Sequence, residues 1–216
     1  MASGNTVGAA ANNPFLEFVK ILARTTDAPP DFIRAAGYWL RSATVGQYFS
    51  FANTALEAKP NIYVLLCGPP AFTRRSTVIR LATFTYLRAV ENLLKEQGEE
   101  DPRFSARQKT VEEFTVEGLM DRVEAGLSNG LGNDFALISH EFGTWLKRTD
   151  STHLLGEIGL LSKLYYGEGH FQTLSRRGGK RGERLIPEGC YFTMLAGMQA
   201  VSYTHLRAHE TSLHLV

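Results

Sequence analysis

The segment Gly68-Pro69-Pro70-Ala71-Phe72-Thr73-Arg74-Arg75-Ser76-Thr77 concentrates residue types that bind phosphate. A glycine and two prolines break the chain after an apolar run, two arginines bring permanent charge, and two hydroxyls follow. If a helix starts here, the free backbone N–H groups of Ala71 to Arg75 converge on anionic oxygens. Arg75 then neutralises them, and Ser76 or Thr77 offers an oxygen ligand to Mg²⁺. The pattern departs from G-x-x-x-x-G-K-[ST]: the second glycine is missing, the loop is one residue longer, and arginine stands in the lysine position. A planar guanidinium grips phosphate bidentately but does not reproduce a compact ammonium, so binding should survive better than hydrolysis. The bland alternative is a tight strand-to-helix turn with incidental arginines.

A second constellation ends the apolar run Phe135-Ala136-Leu137-Ile138 with Ser139-His140-Glu141. A carboxylate at such a strand end can polarise an attacking water, which is the role Glu141 fits. His140 sits where a Mg²⁺-ordering carboxylate would serve better, because Mg²⁺ prefers oxygen ligands. Without catalysis, Glu141 would simply cap or pair at the strand end. Gln199, ending the apolar run from Tyr191, is either a polar sensor of the γ-phosphate or a bystander. The run Arg176-Arg-Gly-Gly-Lys-Arg-Gly-Glu-Arg184 places Arg176, Arg177, Lys180, Arg181 and Arg184 among glycines. It reads either as a grip on nucleic-acid phosphates or as a solvated hairpin tip, since no aromatic residues interleave. His205 and His209 stand at i, i+4, but no third and fourth metal ligand accompanies them.

These residues need elements to hold them. Ile62 to Cys67 is apolar throughout, as expected of a central strand covered on both faces. Thr77 to Lys95 has helical spacing, with Val78, Leu81, Ala82, Thr85, Val90 and Leu94 toward a core, and the charged stretch Gln97 to Gln108 reads as a loop. A short helix over Val116 to Leu127, a strand over Phe135 to Ile138, a helix over Leu154 to Tyr165, a basic hairpin and a strand over Tyr191 to Leu195 complete the order. Upstream, helices start at Pro14 and at Pro29-Pro30-Asp31, the second ending near Gly46. Strands alternating with helices predict a three-layer α/β/α sandwich with a mostly parallel sheet. The expected division is a disordered tail over 1–13, a helical lead-in over 14–58 and a core over 59–200.

The chain has 216 residues and a net charge of +1, so any nucleic-acid contact must come from a local patch rather than from the overall field. Its two cysteines, Cys67 and Cys190, lie in or beside apolar runs and read as buried, inert thiols of a cytoplasmic protein. No apolar run reaches the roughly 20 residues of a membrane span. Trp39 and Trp145 read as core or interface aromatics.

The order and spacing of these motifs over Phe15 to Gln199 resemble the P-loop ATPase domain of phage, plasmid and archaeal primase- and helicase-associated proteins. Many members carry a loop of the form G-P-x-x-x-x-R-K-[ST]-T, on which Arg75 takes the lysine position, Ser76 the Mg²⁺-coordinating hydroxyl and Arg74 the preceding arginine. Phe135-Ala-Leu-Ile-Ser-His-Glu-Phe-Gly143 resembles the family's Asp-Glu-Phe-Gly strand end, with His140 as the departure. The resemblance implies a RecA-like core, ATP and Mg²⁺ as cofactors, DNA as a partner, and a homo-oligomer in which a neighbour supplies an arginine finger. Val201 to Val216 resembles translated vector read-through, on which reading the core continues beyond about Gln199.

Overall fold

Local signals start the first helices. The computed structural model describes residues 13–51, 59–70, 73–112, 118, 119, 121, 122, 125, 134–147, 152–166, 171–177, 180–186 and 190–199. In α1 (Pro14–Thr25), Pro14 takes the first position, and the Asn13 side chain accepts the Phe15 N–H at 3.1 Å, satisfying a donor that the helix cannot. In α2 (Pro30–Val45), Pro30 again opens the helix with Asp31 behind it in the first turn. Ile33, Ala36, Trp39 and Ala43 recur every three or four residues and are buried.

After β1 (Tyr63–Gly68) comes α3 (Arg75–Glu96), a 22-residue helix that buries Val78, Ile79, Ala82, Tyr86, Val90 and Leu94 along one stripe. Each large apolar side chain so buried contributes about 1.5–3 kcal/mol, which holds the helix on the sheet. The stretch read as a charged loop contains α4 (Pro102–Gln108). The Asp101 side chain accepts the Phe104 N–H at 3.2 Å, and Pro102 is the first helical residue. Glu91 ties α3 to α4: its carboxylate meets Lys95 at 2.8 Å, Arg103 at 3.4 Å and Arg88 at 3.6 Å.

The remaining elements are β2 (Thr110–Val111), β3 (Asp134–Ser139), α5 (Phe142–Lys147), α6 (Thr152–Tyr166), β4 (Phe171–Arg177), β5 (Lys180–Ile186) and β6 (Tyr191–Gln199). Strands β1, β6, β3 and β2 form, in that order, one four-stranded sheet whose pairings are all parallel. Strand β6 runs to Gln199, four residues past the expected end at Leu195.

Alternate residues of the strands feed two cores. Leu66, Ala136, Ile138 and Leu195 pack with α1, α2 and α3 on one face. Phe135, Leu137, Phe192, Met194 and Ala196 pack with Phe142 and Trp145 of α5 and with Leu160, Leu161 and Leu164 of α6 on the other. The expected α/β sandwich with a parallel sheet is therefore present, and the helical lead-in forms part of one of its outer layers. Ser42 of α2 donates to the Pro60 carbonyl at 2.7 Å, and the Tyr191 hydroxyl lies 3.0 Å from the Ser42 and Pro60 carbonyls, locking α2 to the start of β6.

Strand β1 corrects one expectation. It is an end strand of the described sheet, paired only with β6, and Leu65 and Cys67 are exposed on the face away from α3. Cys190, by contrast, is buried as expected, and burial pushes its thiol up to about 12. Among the described residues no helix is long and apolar enough to cross a membrane. The segments 1–12 and 201–216, and much of the expected helix over Val116 to Leu127, lie outside the described residues.

Candidate functional site at the carboxyl end of the sheet

Because the sheet is parallel, the chain leaves β1, β3 and β6 at the same end. From β1 it turns to α3 on one face; from β3 it turns to α5 and α6 on the other. Open α/β sheets bind their ligands outside strand ends where the chain turns to opposite faces in this way.

The segment after β1 folds tightly on itself. Thr73 donates its hydroxyl hydrogen to the Pro69 carbonyl at 2.9 Å, and a Cβ on Gly68 would lie 2.6 Å from Thr73 Cγ2, so only glycine lets the loop close here. Arg74 then takes a left-handed conformation, φ 48°, and its guanidinium pairs with Asp27 at 3.0 Å, away from the helix axis. Ala71 and Phe72 lie outside the described residues.

The first backbone bond of α3 runs from the Val78 N–H to the Arg74 carbonyl at 3.1 Å, so the N–H groups of Arg75, Ser76 and Thr77 precede the ladder, and among the described residues no side chain caps them. Ser76 is exposed and Thr77 half-buried. Arg75 is only 6% exposed, and its buried Nη1 has no hydrogen-bond partner among the described residues. Trp39 Nε1 and Thr193 Oγ1 share that condition, but both are neutral; Arg75 carries a full charge. A buried charge is costly unless an opposite charge joins it.

The other strand ends approach this point. Gln199 is the register partner of Gly68, and Ala196 that of Ser139. A Cβ on Gly197 would lie 3.0 Å from the His140 carbonyl oxygen, so glycine in β6 lets the end of β3 come close. His140 and Glu141 are exposed. The Glu141 carbonyl accepts the Thr144 N–H at 3.0 Å and so starts α5, while its carboxylate has no hydrogen-bond or ionic partner among the described residues. Glu141, Ser76 and Thr77 offer oxygen donors that suit Mg²⁺, and His140 does not. Among the described residues no group of three or more His, Cys, Asp and Glu side chains gathers to hold a metal by itself.

Two features escaped the sequence reading. Cys67, expected to be buried, lies exposed: partial burial raises its thiol pKa, and the charge of Arg75 pulls it back down. At the opposite end of the sheet, Lys109 pairs with Asp134 of β3, both nearly buried. That pair floors a cavity of about 180 Å³ also lined by Thr44, Gln47 and Gln97. Spaced 25 residues apart, the two partners carry no sequence signal of their pairing.

The basic residues fall on a separate element. Arg176 and Arg177 lie in β4, and Lys180, Arg181 and Arg184 in β5; these two strands pair antiparallel as their own two-stranded sheet.

No protein-family model and no curated protein matches the chain.

Proposed function

We infer that the chain is an ATP-binding and ATP-hydrolysing module with a RecA-like core, of the kind that serves DNA replication in mobile elements beside a helicase or primase. The observation that carries this reading is Arg75, a buried guanidinium with an unpartnered Nη1 at the uncapped start of a 22-residue helix. Unpaired N–H groups, the positive end of the helix dipole and a desolvated cation all favour an anion at the same point.

On this reading the N–H groups from Ala71 to Arg75 cradle the phosphates and Arg75 neutralises them. Ser76 or Thr77 holds Mg²⁺, which would shield the β- and γ-oxygens. Glu141, with its carboxylate unengaged among the described residues, orients the attacking water, and Gln199 faces the γ-phosphate. A neighbouring subunit of a homo-oligomer supplies the arginine finger, and DNA is the partner on which the energy is used.

A second reading is favoured by His140: an imidazole replaces the carboxylate that would order Mg²⁺, which suits a catalytically degenerate nucleotide- or nucleic-acid-binding module. Calorimetric titration of Mg-ATP into the chain and into Arg75→Ala tests the site itself. Saturable binding abolished by the substitution supports it; no binding by the folded chain overturns it. His140→Asp then separates the two readings, because it raises Mg²⁺-dependent hydrolysis in a weakened ATPase and leaves a relic silent.

A further inference from the structure

The β4–β5 hairpin forms hydrogen bonds within itself and joins no strand of the parallel sheet. Its register sets like charges against each other: Arg176 is directly opposite Arg181, and Arg177 directly opposite Lys180. Opposed cations destabilise an antiparallel pair, and a two-stranded ribbon has little stability to spare. Neither pair has an acid directly opposite: the face of Arg177, Lys180 and Arg184 carries none in the ladder, and on the other face Glu183, opposite Leu174, stands only diagonal to Arg176.

Strand alternation distributes these positions over both faces. Arg177, Lys180 and Arg184 share one face with Thr173 and Ser175, while Arg176 and Arg181 share the other with Leu174 and Glu183. Phe171 is opposite Ile186 at the other end of the ribbon, so the opposed cations of both faces gather at its Arg177–Lys180 end. The chain's net charge is only +1, so this concentration is local.

We propose that the β4–β5 ribbon inserts into the groove of duplex DNA, with Arg176 and Arg181 on one face and Arg177, Lys180 and Arg184 on the other meeting the two phosphate walls. A major groove about 12 Å wide admits a two-stranded ribbon and surrounds it with anions, which relieves the like-charge opposition on both faces at once. A flat lipid surface meets only one face and leaves the other pair opposed. Arginine predominates because its fork grips phosphate oxygens bidentately. The DNA partner is that of the proposed function, on which this inference rests, but the surface is separate from the nucleotide site, since neither Arg75 nor the strand ends take part.

The test is fluorescence-anisotropy titration of the full chain with a short labelled duplex over a range of salt concentrations. It is repeated on Arg176→Gln/Arg181→Gln, on Arg177→Gln/Lys180→Gln and, as a cation outside the hairpin, on the exposed Arg80→Gln. Each hairpin variant should lower the slope of log K against log salt by about 2, at roughly 0.9 for each phosphate no longer neutralised, and Arg80→Gln should leave it unchanged. Both hairpin variants remove opposed charges, so their circular-dichroism melts should not fall below the parent's. An effect confined to one hairpin variant means that a single face meets the phosphates and overturns the groove insertion. So does equal or tighter binding of the parent chain to single-stranded oligonucleotide or to phosphatidylserine vesicles.

Discussion

Gly68 and Gln199 face each other across the β1–β6 ladder, the last residues of two neighbouring parallel strands. A residue without a side chain therefore opens the loop between β1 and α3 while an amide stands beside it. If Gln199 meets the γ-phosphate only as charge develops, Gln199→Ala lowers Mg²⁺-dependent hydrolysis by on the order of 100-fold, the cost of one missing donor. Mg-ATP affinity should stay within about threefold, since ground-state binding is not what is removed. Equal losses in both quantities would make Gln199 a ground-state ligand instead.

Arg75 is expected to trade stability for binding. Its buried Nη1 lacks a partner, so Arg75→Met should stabilise the nucleotide-free chain by about 1–3 kcal/mol, the desolvation cost of an unsatisfied buried donor. The same variant should lose Mg-ATP binding. Urea unfolding with and without nucleotide measures both effects, and a less stable variant would show that the guanidinium is compensated.

The Lys109–Asp134 pair should behave as a structural pair rather than as part of the site. Asp134→Ala strands a lysine that is 10% exposed and should cost about 3–5 kcal/mol. The double variant Lys109→Met/Asp134→Leu removes both charges and should lie within about 1 kcal/mol of the parent. Chemical denaturation of the three proteins measures both costs. Mg-ATP affinity of the double variant should not change, because the pair lies at the far end of β3.

Glu91 gives the chain an acid-sensitive joint. A hydrogen bond from Lys95, then those of Arg103 and the charge of Arg88, hold its carboxyl below the ordinary 4.5. The unfolded chain therefore takes up the proton first as pH falls. The stabilisation is complete above pH 4.5 and disappears as pH drops through the lower folded value. Melting temperatures measured from neutral to acid pH should fall less steeply for Glu91→Gln than for the parent.

Much of the scaffold was legible because its signals are local. Asn13-Pro14 and Pro30-Asp31 start helices through the geometry of a few adjacent residues. The apolar runs Ile62 to Cys67, Phe135 to Ile138 and Tyr191 to Leu195 mark strands, because a strand covered on both faces needs little else. Asp101-Pro102 carried an equally good start signal for α4, but that helix buries only Ser105 and Ala106 of its own residues, too little apolar periodicity to stand out among its charges.

By itself the sequence determined the order of β1, β3, the hairpin and β6 with α1, α2, α3 and α6 among them, the placement of a cationic hydroxyl-bearing loop between β1 and α3, and the concentration of cations in the hairpin; α4, β2 and α5 it did not show. Tertiary structure alone decided that β1 is an end strand of the described sheet with Leu65 and Cys67 exposed, since an apolar run is the same whether or not a neighbour covers it. It alone brought Lys109 to Asp134, set Arg176 against Arg181, and buried Arg75 without a partner. Each of these depends on what stands across a gap in space, and a side chain's burial and pairing are properties of its neighbours, which sequence spacing does not encode.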